Sequence, residues 1–151
     1  MNNIRHTLVL DKAVEQHMEQ DLAAYESEHG IDVNYQRFYL IYEDDSSHVI
    51  GVLNAYTAFS EVYIDDLWVD SENRGQGIGS LLIKALEEKF TDQGFNNINL
   101  VTSAFQAPDF YKKCGFKLEY IRENKHNPKL TKFFFVKFFK NEQQHQGLKK
   151  K

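Results

Sequence analysis

The sequence predicts an α+β (mixed α/β) chain built on one central mixed sheet, and three patterns carry that expectation. Residues 38–69 read as three strands in succession, joined by the short turns Asp44-Asp45-Ser46-Ser47 and Ser60-Glu61, which makes an antiparallel meander. Residues 62–102 read as strand, helix, strand, and a connection of that length implies a parallel neighbour reached by a right-handed crossover. Residues 116–122 and 131–139 read as a final strand pair. A chain of 151 residues is expected to form one domain, here residues 1–140, with a polar tail at 141–151 that ends in three lysines.

Composition narrows the function classes. The chain is 42% apolar and has one cysteine, Cys114, so it can build a core and has no disulfide framework. It contains no apolar run of membrane-spanning length and no signal-peptide pattern at its start, so a cytoplasmic protein without a membrane partner is expected. A net charge of −4 argues against a nucleic-acid partner and mildly favours a cationic substrate.

Each element has a local reason. Residues 6–10 read as a first strand, and Asp11 can cap the helix that follows. That helix runs to about residue 29, with Val14, Met18, Leu22 and Tyr25 on one face and Gly30 at its exit. Its acidic residues, Glu15, Glu19, Asp21, Glu26 and Glu28, read as a solvated face, with a rim for a cationic substrate as the alternative. Residues 38–42, 48–59 and 62–69 are the meander. The helix at 78–93 carries Ile78, Leu81, Leu82, Ala85, Leu86 and Phe90 on one stripe and stops at Gly94. Residues 97–102 are a buried strand. A helix of barely two turns follows, with Pro108 and Asp109 suited to its start, Lys112 and Lys113 to its end, and Gly115 to its exit. In the last strand, Phe133-Phe134-Phe135-Val136 is apolar on both faces, which suits a central strand or an interface.

The organising stretch is Ile64-Asp65-Asp66-Leu67-Trp68-Val69, then Arg74-Gly75-Gln76-Gly77-Ile78-Gly79-Ser80. A strand passes through three glycines in five residues into a helix N-terminus. The first N–H groups of a helix lack internal partners and lie at its positive end, and glycines let a ligand approach the backbone. A nucleotide P-loop needs a lysine after its last glycine, and Gly79 is followed by Ser80. The spacing 75, 77, 79 is not that of a dinucleotide loop either.

The order Arg74-x-x-Gly77-x-Gly79 on a strand-to-helix turn resembles the pyrophosphate loop of the GCN5-related N-acetyltransferases (GNAT). A second motif, Ala107-x-x-Phe110-Tyr111-x-x-x-Gly115-Phe116, resembles the late A-x-x-F-Y-x-x-x-G-F signature of the same family. The element order β-α-β-β-β-α-β-α-β-β, with the glycine loop after the fourth strand, is similar to the family's whole fold. That fold implies an antiparallel N-terminal meander in a mixed sheet with helices on both faces. The stretch from Ile64 to Ser80 is locally similar to spermidine/spermine-type acetyltransferases, which have a glutamate where Asp65 stands, although acetyltransferases for other amines share it. Ala104 departs from the family, many members of which have an asparagine there that contacts the cofactor; Gln106 is the candidate substitute.

The resemblance implies acetyl transfer from acetyl-CoA, as co-substrate, to an amine. It places Leu67, Trp68 and Val69 along the pantetheine, with the backbone of Leu67 and Val69 in strand-like pairing. It places Gly75, Gln76, Gly77, Ile78, Gly79 and Ser80 around the pyrophosphate, with Arg74 adding charge. An alkylammonium has a pKa near 10.4, so only about one molecule in 2,500 is nucleophilic at pH 7, a deficit of roughly 4.6 kcal/mol. A carboxylate at the cleft can hold the cation and accept its proton, directly or through water. Asp65 is in phase with Leu67 if the strand is unbulged; a bulge would favour Asp66. Tyr111 is the candidate acid for the departing thiolate. Cys114 reads as a small buried hydrophobe, with an acetyl-enzyme as the alternative. The histidines show no metal-ligand spacing, and no metal is expected.

Three functions fit: a small-amine N-acetyltransferase, a protein or peptide N-acetyltransferase, and a non-catalytic acyl-CoA-binding module. The unalternating aromatic strand at 131–139 further implies a homodimer, unless the tail or the helices cover it.

Overall fold

A computed structural model describes residues 3–140, and the tail expected at 141–151 lies outside them. The chain divides into two compact units at Asn34/Tyr35.

In the first unit, α1 spans Lys12–Glu28. Asp11 caps it, its carboxylate accepting from the Ala13 N–H at 2.9 Å, and Gly30 leaves it at φ +71°. Residues 6–10 are not a strand, contrary to the sequence pattern. The Thr7 hydroxyl donates to the Val9 carbonyl at 2.8 Å, a local turn that replaces ladder bonding.

The second unit is a six-stranded mixed sheet of β1 (Gln36–Glu43), β2 (Val49–Ala58), β3 (Glu61–Val69), β4 (Asn97–Ser103), β5 (Lys117–Arg122) and β6 (Lys132–Phe138). Its order is β1-β2-β3-β4-β6-β5, and among the described residues only β3 and β4 pair in parallel, as the crossover through α2 (Ile78–Phe90) requires. Helix α3 spans Pro108–Lys113. Both helices of this unit join one core with one face of the sheet: Ile78, Leu82, Ile83 and Leu86 of α2 and Tyr111 of α3 cluster with Leu53, Ala55, Val62, Ile64, Ile98, Leu100 and Phe135. Helix α2 sits so close to β2 that a Cβ on Gly51 would stand 2.9 Å from Ile78 Cγ2.

The aromatic strand is interior. β6 pairs with β4 on one side and β5 on the other, and Phe135 and Val136, on opposite faces, are both buried. That position explains much of its unbroken apolar run.

The parallel pair β3/β4 holds for three residues only, Glu61–Asn97 to Tyr63–Asn99, although both strands continue. The register of β3 against β2 slips where the pairing ends: Ile64 faces Ala55, Asp66 faces Asn54, and Asp65 is the extra residue between them. A bulge bends and twists its strand. Beyond it the β4-facing edge of β3 has no strand partner among the described residues.

Candidate active site

The opening between β3 and β4 holds the site. A cavity of about 630 Å³ is lined by the end of β3, the loop from Asn73 to Ser80, and Gln106, Ala107, Phe110 and Tyr111. A second cavity, of about 200 Å³, lies between Ile64–Trp68 and Leu100–Thr102. Leu67, Trp68, Gln106, Ala107 and Tyr111 line both, so the two cavities adjoin.

The loop is shaped for an anion. Gly75 and Gly77 have φ of +79° and +80°, which other residues adopt only under strain. Gly77 is the N-cap of α2, the first bond of the helix is Leu81 N–H to the Gly77 carbonyl at 3.0 Å, and among the described residues no side chain caps this end. The N–H groups of Ile78, Gly79 and Ser80 therefore have no intrahelical acceptor. Gly79 has a different role: a Cβ there would stand 3.2 Å from Phe110 Cζ, so the glycine lets α2 meet α3. Arg74 donates through Nε to the Val69 carbonyl at 3.1 Å, which ties its guanidinium to the end of β3 beside the loop.

Gln106 is held by its oxygen, which accepts from the Ser103 N–H at 2.7 Å and the Thr102 hydroxyl at 3.3 Å. Its amide N–H groups remain as donors beside the cavity. Cys114 is half-buried, its sulfur 4.0 Å from the Ser80 hydroxyl, and burial raises its thiol pKa. It lines neither cavity.

Tyr111 is 8% exposed, its ring packed among Phe110, Phe116 and Phe135 at centroid separations of 5.1, 5.9 and 6.1 Å. Burial first, then the negative fields of Cys114 and Asp66, push its pKa up to about 12.

The bulge corrects the expected phase of the carboxylates. Asp65 is not in simple alternation with Leu67, because it is the extra residue. Asp66 shares the sheet face of Asn54 and Trp68, opposite to Leu67 and Val69. Two residues that the sequence pattern did not single out hold the pair. Arg37 on β1 binds Asp65 Oδ2 at 2.7 Å, and Asn54 on β2 donates to Asp66 Oδ2 at 2.9 Å. Arg37 alternates with the core residues Phe38 and Leu40, which marks it as facing away from the helices, but its partner lies 28 residues on and no local signal names it.

The sequence model of the acetyltransferase (GNAT) family matches residues 4–116, and the chain belongs to that family. It is 33% identical over 75 residues to blasticidin-S acetyltransferase of Streptomyces morookaense, covering 49% of this chain and 55% of that one. It is 39% identical over 74 residues to thialysine N-epsilon-acetyltransferase of Bos taurus, covering 44% of each. The match thus spans half or so of those relatives' lengths. Among solved structures, an acetyltransferase from Bacillus cereus ATCC 14579 superposes with a TM-score of 0.72 at 25% identity, over 89% of this chain and 98% of that one. An aminoglycoside 6'-N-acetyltransferase complexed with coenzyme A shares the fold, with a TM-score of 0.59 at 16% identity over 87% and 94% of the two chains.

Proposed function

We propose that the protein transfers acetyl from acetyl-CoA directly to the primary amine of a small molecule. The observation that carries this reading is the opening between β3 and β4, which puts the uncapped start of α2, Tyr111 and the two aspartates on adjoining cavities. The relatives named for blasticidin S and for thialysine, both small molecules, favour a free amine over a peptide acceptor.

The loop fits a coenzyme pyrophosphate. At two glycines at positive φ a Cβ would meet no atom within 4 Å beyond their chain neighbours, and N–H groups without an intrahelical acceptor follow them at the positive end of a 13-residue helix. Acetyl-CoA supplies the activated acetyl group. The free edge of β3 at Leu67–Val69 pairs with the pantetheine arm, Arg74 adds charge at the pyrophosphate, and Gln106 offers an amide donor. Asp66, with Asp65 beside it, holds the acceptor ammonium and receives its proton through water. Tyr111 acts as a hydrogen-bond donor to the leaving sulfur. A phenol at about 12 lies some 3.5 units above an ordinary thiol, so full proton transfer would be uphill by about 5 kcal/mol. The hydrogen bond itself stabilises the developing thiolate, and the high pKa keeps the donor protonated throughout the working range.

We also propose a homodimer that uses the outward face of β4, β6 and β5, where Tyr120 and Phe138 are 59% and 57% exposed.

A panel of free amines set against peptides, read by release of the coenzyme A thiol, tests the function. Turnover of a small amine with none of the peptides is the expected result. Turnover confined to peptides would move the assignment to protein acetylation. Tight acetyl-CoA binding with no acceptor in either class would favour the acyl-CoA-binding module.

A further inference from the structure

The side chains at the bulge form one connected chain across three strands. Arg37 Nη1 lies 2.7 Å from Asp65 Oδ2 and donates to Asn54 Oδ1 at 2.7 Å, and Asn54 Nδ2 donates to Asp66 Oδ2 at 2.9 Å. The amide of Asn54 is thereby oriented from both ends, its oxygen toward the cation and its nitrogen toward the carboxylate. The guanidinium also lies over the Tyr56 ring, 5.0 Å from its centroid. The two carboxylates are adjacent in sequence but not equivalent. Asp65 has a guanidinium as its partner, whereas the partner of Asp66 is a neutral amide. Two carboxylates and one guanidinium leave a single net negative charge, and it resides at Asp66, whose field reaches Tyr111.

We propose that Arg37 determines acceptor specificity: it neutralises Asp65, leaves Asp66 alone to hold the ammonium, and so makes this a site for monoamines that rejects di- and polyamines. The inference rests on the acetyl-transfer reading above. A monoammonium matches a site of one negative charge. The second ammonium of a short diamine finds its nearest carboxylate already paired and meets a guanidinium of like charge, which is selection by repulsion. The side chains of Arg37 and Asp65 are 35% and 41% exposed, so an acceptor entering beside Asp66 can reach both. Arginine suits the role because one guanidinium nitrogen, Nη1, reaches Asp65 and Asn54 together and its charge does not titrate.

The test compares butylamine with 1,4-diaminobutane, matched in length, by acetyl-CoA-dependent turnover and by calorimetric binding to protein loaded with coenzyme A. Wild type is expected to prefer butylamine by roughly tenfold or more in kcat/KM. Arg37→Gln exposes both carboxylates and is expected to shift the ratio toward the diamine by a similar factor, carried in KM rather than kcat. Arg37→Lys keeps the charge and is expected to keep the wild-type order, which a purely structural role for Arg37 would not require. Equal use of the two amines by wild type, or an unchanged ratio in Arg37→Gln, overturns the proposal while acetyl transfer stands. If neither amine is acetylated but butylamine still binds more tightly and Arg37→Gln reverses that order, the amine selectivity assigned to Arg37 stands, and the acetyl-transfer reading is decided by the panel of amines and peptides. If neither amine binds, the proposal falls. Should Arg37→Gln fail to fold, Arg37→Met takes its place, with the same result expected and the same result overturning the proposal.

Discussion

Replacing Tyr111 by phenylalanine separates chemistry from packing. The ring sits among Phe110, Phe116 and Phe135, and the substitution keeps all three contacts while it removes only the hydroxyl. With a pKa of about 12, this hydroxyl is a much weaker acid than a thiol, so the contribution proposed for it is the hydrogen bond itself. Loss of such a donor from a desolvated site is expected to lower kcat by roughly 10²-fold, equivalent to about 2.7 kcal/mol. Acetyl-CoA affinity should change little, because the loop at Gly75–Ser80 is untouched. The assay is a single-turnover measurement of thiol release, with calorimetric titration of acetyl-CoA alongside it. A variant that matches the wild-type rate when chemistry limits would remove Tyr111 from the mechanism. A variant that loses acetyl-CoA affinity in proportion would make its role binding rather than transition-state stabilisation.

Acetyl-CoA is expected to raise the melting temperature, and Gly77→Glu is expected to abolish that rise, since it puts a side chain at φ +80° and a negative charge at the proposed pyrophosphate site; unchanged affinity in that variant would refute the loop assignment. Stability should fall at alkaline pH because of Tyr111. Its folded pKa of about 12 lies above the ordinary 10.0, so the native state holds the proton more tightly and its contribution is complete below pH 10. That contribution is lost as pH rises from 10 to 12, by about 2–3 kcal/mol, and Tyr111→Phe should lack this loss in denaturant titrations across the range. Light scattering at micromolar concentration should give the mass of two chains, and the mass of one chain would refute the dimer.

The fold and the family were legible in the sequence because their signals are local. Alternating apolar residues, a stripe in the helix from Ile78, and turn residues at 44–47 and 60–61 each specify an element from its own neighbourhood. So does the glycine loop, since two left-handed positions ahead of a helix start require glycine wherever the rest of the chain lies. The first-strand pattern at 6–10 misled because a strand is made by its partner, and Thr7 satisfies a backbone carbonyl locally instead.

Only the tertiary structure decided the rest. The bulge at Asp65 exists in the register of β3 against β2, twelve residues away, and no period within β3 reveals it. That single extra residue lies just past the end of the parallel pairing with β4, beside the cavity, and it undoes the simple phase of Asp65 with Leu67. The partners of the two aspartates come from β1 and β2, so their unequal charge environments depend on a pairing between strands. Tyr111 likewise takes its pKa from burial, which the sequence fixes only through the whole packed core. Residue types and local backbone demands are written along the chain, whereas edges, cavities and electrostatic environments arise from segments far apart in it.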